Sequence, residues 1–448
     1  MPFGWFRQKT FRHGIHPPEA KDDTRGLRIR PFPFAPVLVV PLSQHVGKPS
    51  RPVVREGQEV LRGQVIAESD GFVSTTMHAP ATGRIRRIGP CPSIRGTPVP
   101  GVYLEPEPGS TQEVADGRPC PLDADRREIL DAIQRAGIVG LGGAAFPTHV
   151  KLAGREGAAI DTVILNGAEC EPYLTTDHRV MLEQREDLFL GLRYLLRVTG
   201  AARAIVGVEA NKADAVAHLK EGLSPDLPAT VSSLTVKYPQ GAEKMLIAAL
   251  LGREVPSGKL PLDVGAVCVN VATAAEIGRL LPRGRGIQER VITVGGPAVR
   301  RKGNYRVPIG TPLRFLLNHV GVGDDLDRVF LGGPMMGSAA SSLDVSITKG
   351  TSGVIAFDAE GSRRTHRPIQ PCIRCGHCLD ACPMRLDPAS LGLFARAGQH
   401  DRMADELHLM DCFECGCCAF VCPSQIPLVQ HFRVAKAAVR RAAKKGEA

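Results

Sequence analysis

PCIRCGHCLDACP (residues 371–383) and DCFECGCCAFVCP (residues 411–423) are two copies of one pattern: Cys372, Cys375, Cys378 and Cys382 before Pro383, then Cys412, Cys415, Cys418 and Cys422 before Pro423. Each cysteine of the second copy stands 40 residues after its counterpart in the first. Three thiolates at i, i+3 and i+6 around a turn that contains glycine (Gly376, Gly416) can hold three corners of a cubane, and CxxCxxCxxxCP is a spacing that binds [4Fe-4S] clusters. Zinc sites and disulfides are the alternatives, but tetrahedral zinc is usually held by two CxxC pairs further apart, without the added CxxxCP. The pattern predicts two clusters and a chain that moves electrons one at a time.

The fourth corner of each cluster must come from elsewhere. In two-cluster ferredoxins the last cysteine of each run serves the other cluster. That rule predicts one cluster on Cys372, Cys375, Cys378 and Cys422 and the other on Cys412, Cys415, Cys418 and Cys382, with Cys417 left over and dispensable. The 29 residues between Cys382 and Cys412 read as mostly helix, over Leu391 to Ala397 and Met403 to Met410. A helical two-cluster ferredoxin domain over residues 367–430 is therefore expected rather than a compact β-rich one.

At 448 residues the chain has room for about three domains, and 43% hydrophobic with 23% charged residues is ordinary for globular folds. The longest apolar stretches, Pro36 to Leu42 and Val264 to Val271, are far shorter than the ~20 residues that span a bilayer. The start, MPFGWFRQKTFRHG, lacks the apolar core of a secretory signal, and cysteines gathered into cluster motifs imply a reducing compartment, so the cytoplasm is expected. The net charge is +10, and residues 431–448 hold six Lys or Arg against one acid, Glu447. This basic tail suits anionic lipid headgroups, an acidic partner, or simply a solvated helix end. Nucleic acid is a poor reading, because aromatic residues make up only 5% and no recognition motif accompanies the charge.

Residues 1–35, rich in Pro, Arg and His, read as an extended arm. Over 36–106, short apolar runs alternate with glycine turns and predict an all-β domain. Its EGQEVLRGQ and HAPATGRI segments resemble the lipoyl/biotinyl-like barrel-sandwich hybrid, but the hairpin tip, Glu68 to Gly71, has no lysine to carry a cofactor, so a structural module is expected. Residues 122–281 alternate strands (VILNGAE, AIVGVEA) with helices (Asp125 to Ala136, Val180 to Leu196, Ala213 to Leu219), the pattern of a Rossmann-like parallel α/β domain. Residues 290–340 resemble the soluble-ligand-binding β-grasp module, and LGGPMMG and VIAF follow before the cluster domain.

The α/β domain holds a second candidate site. GIVGLGGAAFP places Gly137, Gly140, Gly142 and Gly143 before Lys151, where glycines let backbone N–H groups approach a phosphate or a flat ring, although a plain tight turn reads equally well. The strand VIL ends in Asn166, Glu169, Cys170 and Glu171, at the strand end where open α/β sheets bind ligands. Tyr238, Gly241, Glu243, Lys259, Asn270 and Thr273 are further candidates, or else exposed loop residues.

These segments resemble a known family. GLGGAAFPTHVK looks like the GRGGAGFPTGLK loop of the flavin-bearing, NADH-oxidising subunit of respiratory complex I. NGAECEP looks like its NADESEP, YPQGAEK like its YICGEET, and VNVAT like its NNVET. The resemblance implies that Gly140, Gly142, Gly143, Lys151, Asn166, Glu169, Tyr238 and Asn270 contact a noncovalent FMN, and that Glu171, Glu243 and Lys259 border NADH. The chain departs from that pattern at Leu141 (arginine there), Ala168 (aspartate) and Ala242 (glutamate), and it carries two cluster motifs instead of one.

The whole order of modules, opened by FRHGIHPPEAK, resembles the C subunit of the Rnf (Rsx) electron-transport complex, with its FxGGIHPPxxK signature. This implies an NADH:ferredoxin-type oxidoreductase subunit that passes electrons from NADH through FMN to two clusters. It implies membrane and peripheral partner subunits that couple transfer to ion movement, ferredoxin at the other end, and peripheral attachment to the cytoplasmic side of the inner membrane. No side chain is assigned as a catalytic acid or base. A soluble cobalamin-reductase-type protein and an electron-relay adaptor without nucleotide are the rival readings.

Overall fold

The computed structural model describes residues 9–155, 159–365 and 368–446. The N-terminal arm is laced between domains. Ile15 exchanges both backbone hydrogen bonds with Tyr238 (2.8 and 2.9 Å), and the Gly14 N–H donates to Ala381 of the cluster domain at 3.2 Å. Gly14 has φ +81°, and a Cβ there would lie 2.6 Å from the Tyr238 carbonyl oxygen, so only glycine fits this crossing. Helix α1 (Asp22–Arg25) and strand β1 (Ile29–Pro31) follow.

Seven strands then form two small sheets: β2 (Leu38–Pro41), β3 (Arg51–Pro52), β4 (Glu59–Val60), β5 (Val65–Glu68), β6 (Met77–His78), β7 (Gly83–Cys91) and β8 (Val99–Pro106). The orders β2-β8-β7-β4 and β3-β5-β6 enclose a core that includes Leu38, Val40, Ile66, Ile85 and Leu104. The hairpin tip is docked. Gln134 donates to the carbonyls of Gly71 and Ser74 (3.2 and 3.1 Å), and His149 Nε2 hydrogen-bonds the Phe72 carbonyl at 2.7 Å. A tip fastened this way cannot swing a cofactor between sites.

The α/β domain runs α2 (Arg126–Arg135), α3 (Thr148–Ala153), β9 (Thr162–Gly167), α4 (Thr176–Glu183), α5 (Arg185–Thr199), β10 (Arg203–Glu209), α6 (Ala213–Glu221), β11 (Ala229–Leu234), α7 (Glu243–Leu251), β12 (Ala266–Asn270) and α8 (Val271–Leu280). Its strands are parallel in the order β11-β10-β9-β12. The helix expected over Val180 to Leu196 is two helices, broken at Gln184 (φ −130°). Helices α5 and α8 touch backbone to backbone, since a Cβ on Gly191 would lie 1.8 Å from the Ala274 carbonyl oxygen.

Next come β13 (Glu289–Gly295), β14 (Gly303–Pro308), α9 (Leu313–Val320), β15 (Leu326–Leu331), β16 (Ser338–Ala339) and β17 (Gly353–Asp358). The sheet order β1-β14-β13-β17-β15-β16 takes in a strand from the arm and one beyond residue 340, so this unit is wider than the 290–340 span expected. After α10 (Ala359–Thr365), the cluster domain consists of α11 (His377–Ala381), α12 (Pro388–Arg396), α13 (His400–Asp405), α14 (Cys417–Phe420) and α15 (Leu428–Gly446). The helix expected over Met403 to Met410 stops at Asp405, and a 3-10 turn at Leu409–Asp411 follows the left-handed His408 (φ +53°). No described helix is long and apolar enough to cross a membrane.

Candidate functional site

Strands β9 and β12 end side by side, with Asn166 registered against Asn270, and a cavity of about 690 Å³ opens beyond their C-terminal ends. That volume lies within the roughly 300–1,000 Å³ of pockets that bury a cofactor-sized ligand. The glycine loop forms one wall. Gly143 has φ +110°, and a Cβ there would meet nothing within 4 Å, so its backbone faces open space. Gly140 is not part of the lining; its N–H and carbonyl close the loop on Phe146 and Ala145 (2.8 and 3.1 Å). Leu141 turns into the core, where its N–H donates to Thr273 Oγ1 (2.9 Å) and its carbonyl accepts from Arg290 Nη2 (2.7 Å).

The polar residues of the lining brace the cavity as well as face it. Asn166 donates to the Gly241 carbonyl at 2.8 Å and so sets the spacing to the Tyr238–Glu243 segment. Asn270 caps α8 through the N–H groups of Ala272 and Thr273 (2.9 and 3.3 Å), and its Nδ2 donates to Asp177 at 2.7 Å. Glu169, at φ +49°, accepts from the N–H groups of Asp177 and His178 (2.6 and 3.2 Å), a carboxylate at the positive end of α4. Burial, with the Glu169 charge second, pushes the Asp177 carboxyl up to about 7. Asp177 lines the cavity, and nothing in its sequence neighbourhood marked it beyond being an acid in a helix's first turn.

Glu171 also lines the cavity, but its two oxygens accept from the N–H groups of Met335 and Met336 (3.0 and 2.7 Å). This holds the Gly332–Gly337 stretch of LGGPMMG over the cavity as a roof, and a Cβ on Gly333 would lie 2.2 Å from Glu171 Oε2. The whole Glu169–Leu174 loop is clamped from behind by Lys21 of the arm. Its buried ammonium donates to the carbonyls of Glu169 and Glu171, each at 2.9 Å, and of Leu174. The lysine that ends the FRHGIHPPEAK segment thus shapes the site without entering it.

Glu243 stands in the lining and is ion-paired with Lys151, which lies outside it. Lys259 is in an exposed loop and does not reach the cavity. Ala168 is buried; its carbonyl accepts from Lys212 (2.7 Å), itself buried and paired with Glu209 at 3.1 Å. Ala242 lines the cavity.

The cysteines ring two smaller pockets. One is lined by Cys372, Cys375, Cys378 and Cys422, the other by Cys382, Cys412, Cys415 and Cys418, so each takes three thiols from one run and a fourth from the other. Cys417 also borders the second pocket; it is fully buried, and its Sγ approaches the Tyr238 carbonyl oxygen at 4.0 Å. Burial pushes Cys378 and Cys412 up to about 11, and a thiol that resists ionising alone is deprotonated when it ligates a cation. Four sulfurs around each pocket, with apolar side chains such as Leu428 in one case and Phe432 in the other beside them, fit a [4Fe-4S] cluster.

The second pocket adjoins the large cavity. Phe413 and Tyr238 belong to the cavity wall, Phe413 also lines the pocket, and the Tyr238 hydroxyl donates to the Cys415 carbonyl at 2.7 Å. Among the described residues, none lines both the first pocket and the cavity.

Comparison with known proteins gives the same order of modules. Family models match as an RnfC barrel sandwich hybrid domain over residues 9–108, a Nuo51 FMN-binding domain over 133–279, an SLBB domain over 291–339 and a 4Fe-4S dicluster domain over 371–426. The chain is 39% identical over 447 residues to the C subunit of the proton-translocating ferredoxin:NAD(+) oxidoreductase complex from Clostridium ljungdahlii, a match that covers 98% of this chain and 96% of that protein. It is 39% identical over 439 residues to the Na(+)-translocating counterpart from Acetobacterium woodii, covering 98% of each. The C subunit of the ion-translocating oxidoreductase complex from Pseudomonas aeruginosa is 40% identical over 96% of this chain, which spans 56% of that longer protein. Among solved structures, an NAD+-reducing [NiFe]-hydrogenase in the H2-reduced state matches with a TM-score of 0.50 at 21% identity, over 70% of this chain and 63% of that one, a likeness of fold.

Proposed function

The chain belongs to the family of C subunits of Rnf-type ion-translocating ferredoxin:NAD+ oxidoreductase complexes, and from that membership we propose that it carries electrons between NADH and partner subunits through FMN and two [4Fe-4S] clusters. The observation that carries the reading is the junction of the large cavity with the Cys382/Cys412/Cys415/Cys418 pocket: Phe413 lines both, and Tyr238 of the cavity wall donates to the Cys415 carbonyl. Electrons entering at the cavity would meet that cluster first and the Cys372/Cys375/Cys378/Cys422 cluster second.

FMN, when bound, supplies the exchange between a two-electron hydride donor and one-electron carriers, and the clusters relay single electrons. Gly142, Gly143, Asn166, Glu169, Tyr238 and Asn270 would hold it. The backbone of Gly143 leaves room for a flat ring or a phosphate, and Asn166 and Asn270 fix the two strand ends between which the ligand sits. Glu243, paired with Lys151, would border the nicotinamide nucleotide. Glu171 would border the nucleotide from the cavity wall, and its carboxylate also anchors the glycine-methionine roof through the N–H groups of Met335 and Met336. The buried Asp177 carboxyl can hold or release a proton beside the ligand near neutral pH.

Relatives named as subunits of ion-translocating complexes place this chain in a membrane assembly, and the lack of a spanning helix among the described residues suits a peripheral subunit. We take its side of the inner membrane to be cytoplasmic, with membrane subunits and, through them, ferredoxin as partners. Near-full-length identity, the arm included, favours this over a soluble cobalamin-reductase-type protein. The test is a spectrum: purified without oxygen and supplied with FMN, the chain shows a flavin band that NADH bleaches, followed by reduction of cluster signals. Intact clusters with no flavin retained would refute the dehydrogenase reading and leave a bare electron relay.

A further inference from the structure

A separate cavity, of about 370 Å³, lies between strands β5 and β6 of the barrel-sandwich and the end of α2, and among the described residues none lines both it and the large cavity. Three arginines from separate segments border it: Arg118 in the linker after β8, Arg135 at the end of α2, and Arg285 in the turn after α8. Among the described residues Arg135 has no ion-pair or hydrogen-bond partner, and Arg285 engages only its Nε, with Asp116 at 2.6 Å. Arg118 is paired with Glu128 at 3.3 Å, and Glu68, a carboxylate in the lining, is paired with Arg51 at 2.9 Å. The segments are fixed to one another. The Gly117 N–H donates to the Arg283 carbonyl at 2.9 Å, and a Cβ on Gly284 would lie 2.3 Å from the Arg118 carbonyl oxygen. Burial, with Glu128 second, raises the thiol of Cys120 in the cavity wall, and the charges of Arg135 and Arg118 both reach it to oppose that rise.

His78 of β6 lines the same cavity and is only 7% exposed. Its Nδ1 is buried without a hydrogen-bond partner, and Nε2 has none among the described residues. The ring is held in this place by Gly286, where a Cβ would lie 2.1 Å from the imidazole. A buried imidazole left unsatisfied is costly, and a ligand in the cavity removes that cost by accepting its N–H. Guanidinium forks match phosphate oxygens, and the apolar walls at Val65, Ala132 and Leu281 leave room for more than the anion. We propose that this cavity is a second ligand site, one that takes the phosphoryl group of a small phosphate on Arg118, Arg135, Arg285 and His78. It adjoins the glycine loop: Ala136 lines it, and the carbonyls of Gly137 and Thr76 share the Lys349 ammonium at 2.8 and 2.7 Å. The proposal uses neither the flavin reading nor the cluster reading.

The experiment uses the full chain with both clusters reconstituted and one equivalent of FMN. Isothermal titration calorimetry at low ionic strength compares three probes: ribose 5-phosphate, inorganic phosphate and citrate. Binding of a phosphate at a single site per chain is expected. A response to ribose 5-phosphate alone assigns the site to a phosphoester, and equal affinity for inorganic phosphate assigns it to the free ion. Arg135→Gln should weaken that binding about tenfold or more, the loss expected of one charge-assisted hydrogen bond. Because Arg135 is exposed and unpaired, this variant should keep the wild-type melting temperature and cluster EPR spectra. A second variant, His78→Phe, should act in the same direction. Hydrogen exchange should locate the ligand: peptides covering residues 116–121 and 131–137 gain protection, and those covering 166–175 do not. Neither phosphate binding at millimolar concentration would overturn the proposal, as would citrate binding without either phosphate, or wild-type affinity in both variants. A chain that retains no flavin is titrated in the same way, so failure of the dehydrogenase reading is seen separately.

Discussion

Replacing Lys21 with Met tests whether the arm shapes the cavity from behind. The ammonium donates to the carbonyls of Glu169, Glu171 and Leu174, and burial lowers its pKa, so wild type carries a cost of desolvation that methionine removes. Against that saving, three carbonyls lose their donor in a mostly buried place, at about 1–3 kcal/mol each. The balance is a local loss of about 3 kcal/mol, or roughly a hundredfold rise in the open population of the 169–174 loop. Arginine would not restore it, because a planar fork cannot meet three carbonyls that surround a point. Hydrogen exchange followed by mass spectrometry reads the change directly: peptides covering residues 167–175 should lose about two decades of protection, while those covering α5 and α8 keep theirs. Flavin retention should weaken in parallel, with cluster EPR unaltered. Unchanged protection in the loop would refute the clamp, and an equal loss in α5 and α8 would show that Lys21 supports the whole domain instead.

Cys382→Ser should deplete iron from the cluster shared with Cys412, Cys415 and Cys418 and spare the other, a split visible by EPR, whereas Cys417→Ala should keep both clusters assembled; loss of the Cys372-run signal in the serine variant would contradict the crossed arrangement. Gly333→Ala drives a methyl into Glu171 and should lift the roof, weakening FMN affinity about tenfold for the 1–3 kcal/mol typical of overpacking; a fluorescence titration measures it. His45 and His78 are held at about 4 and about 3, by burial first and the nearby Lys349 second. Their folded pKa values lie below the ordinary 6.5, so the unfolded chain binds more protons and stability falls as pH drops from about 6.5 toward 4, by up to ~1.4 kcal/mol per pH unit for fully buried His78. His78→Phe should flatten that slope in thermal unfolding, and an identical slope in both proteins would remove histidine burial as the cause.

Spacing along the chain was enough to reveal what local chemistry dictates. Cysteines three residues apart wrap a cubane corner by corner whatever surrounds them, and strand-helix alternation over 162–280 leaves little but a parallel sheet. The candidate site was half legible. Gly142, Gly143, Asn166, Glu169, Tyr238 and Asn270 do line one cavity, whereas Gly140, Lys151 and Lys259 do not. Motif letters mark which residues stay near a ligand but not which way each side chain turns, and Glu171 turns to Met335, 164 residues further along the chain.

Tertiary structure alone decided three things. It set Lys21 beneath the Glu169–Leu174 loop and made Asp177 a buried cavity acid, because burial and hydrogen-bond partners arise only when distant segments meet. It broke the symmetry of the repeated cysteine run, covering one copy with the α/β domain through Phe413, Cys417 and Tyr238 and leaving Ile373 and Cys375 of the other open to solvent. The sequence determined by itself that there are two copies of one cluster-binding unit, since thiol spacing is a local property. Which copy faces the cavity and which faces outward is a property of packing, and the thiol spacing that the two runs share does not reveal it.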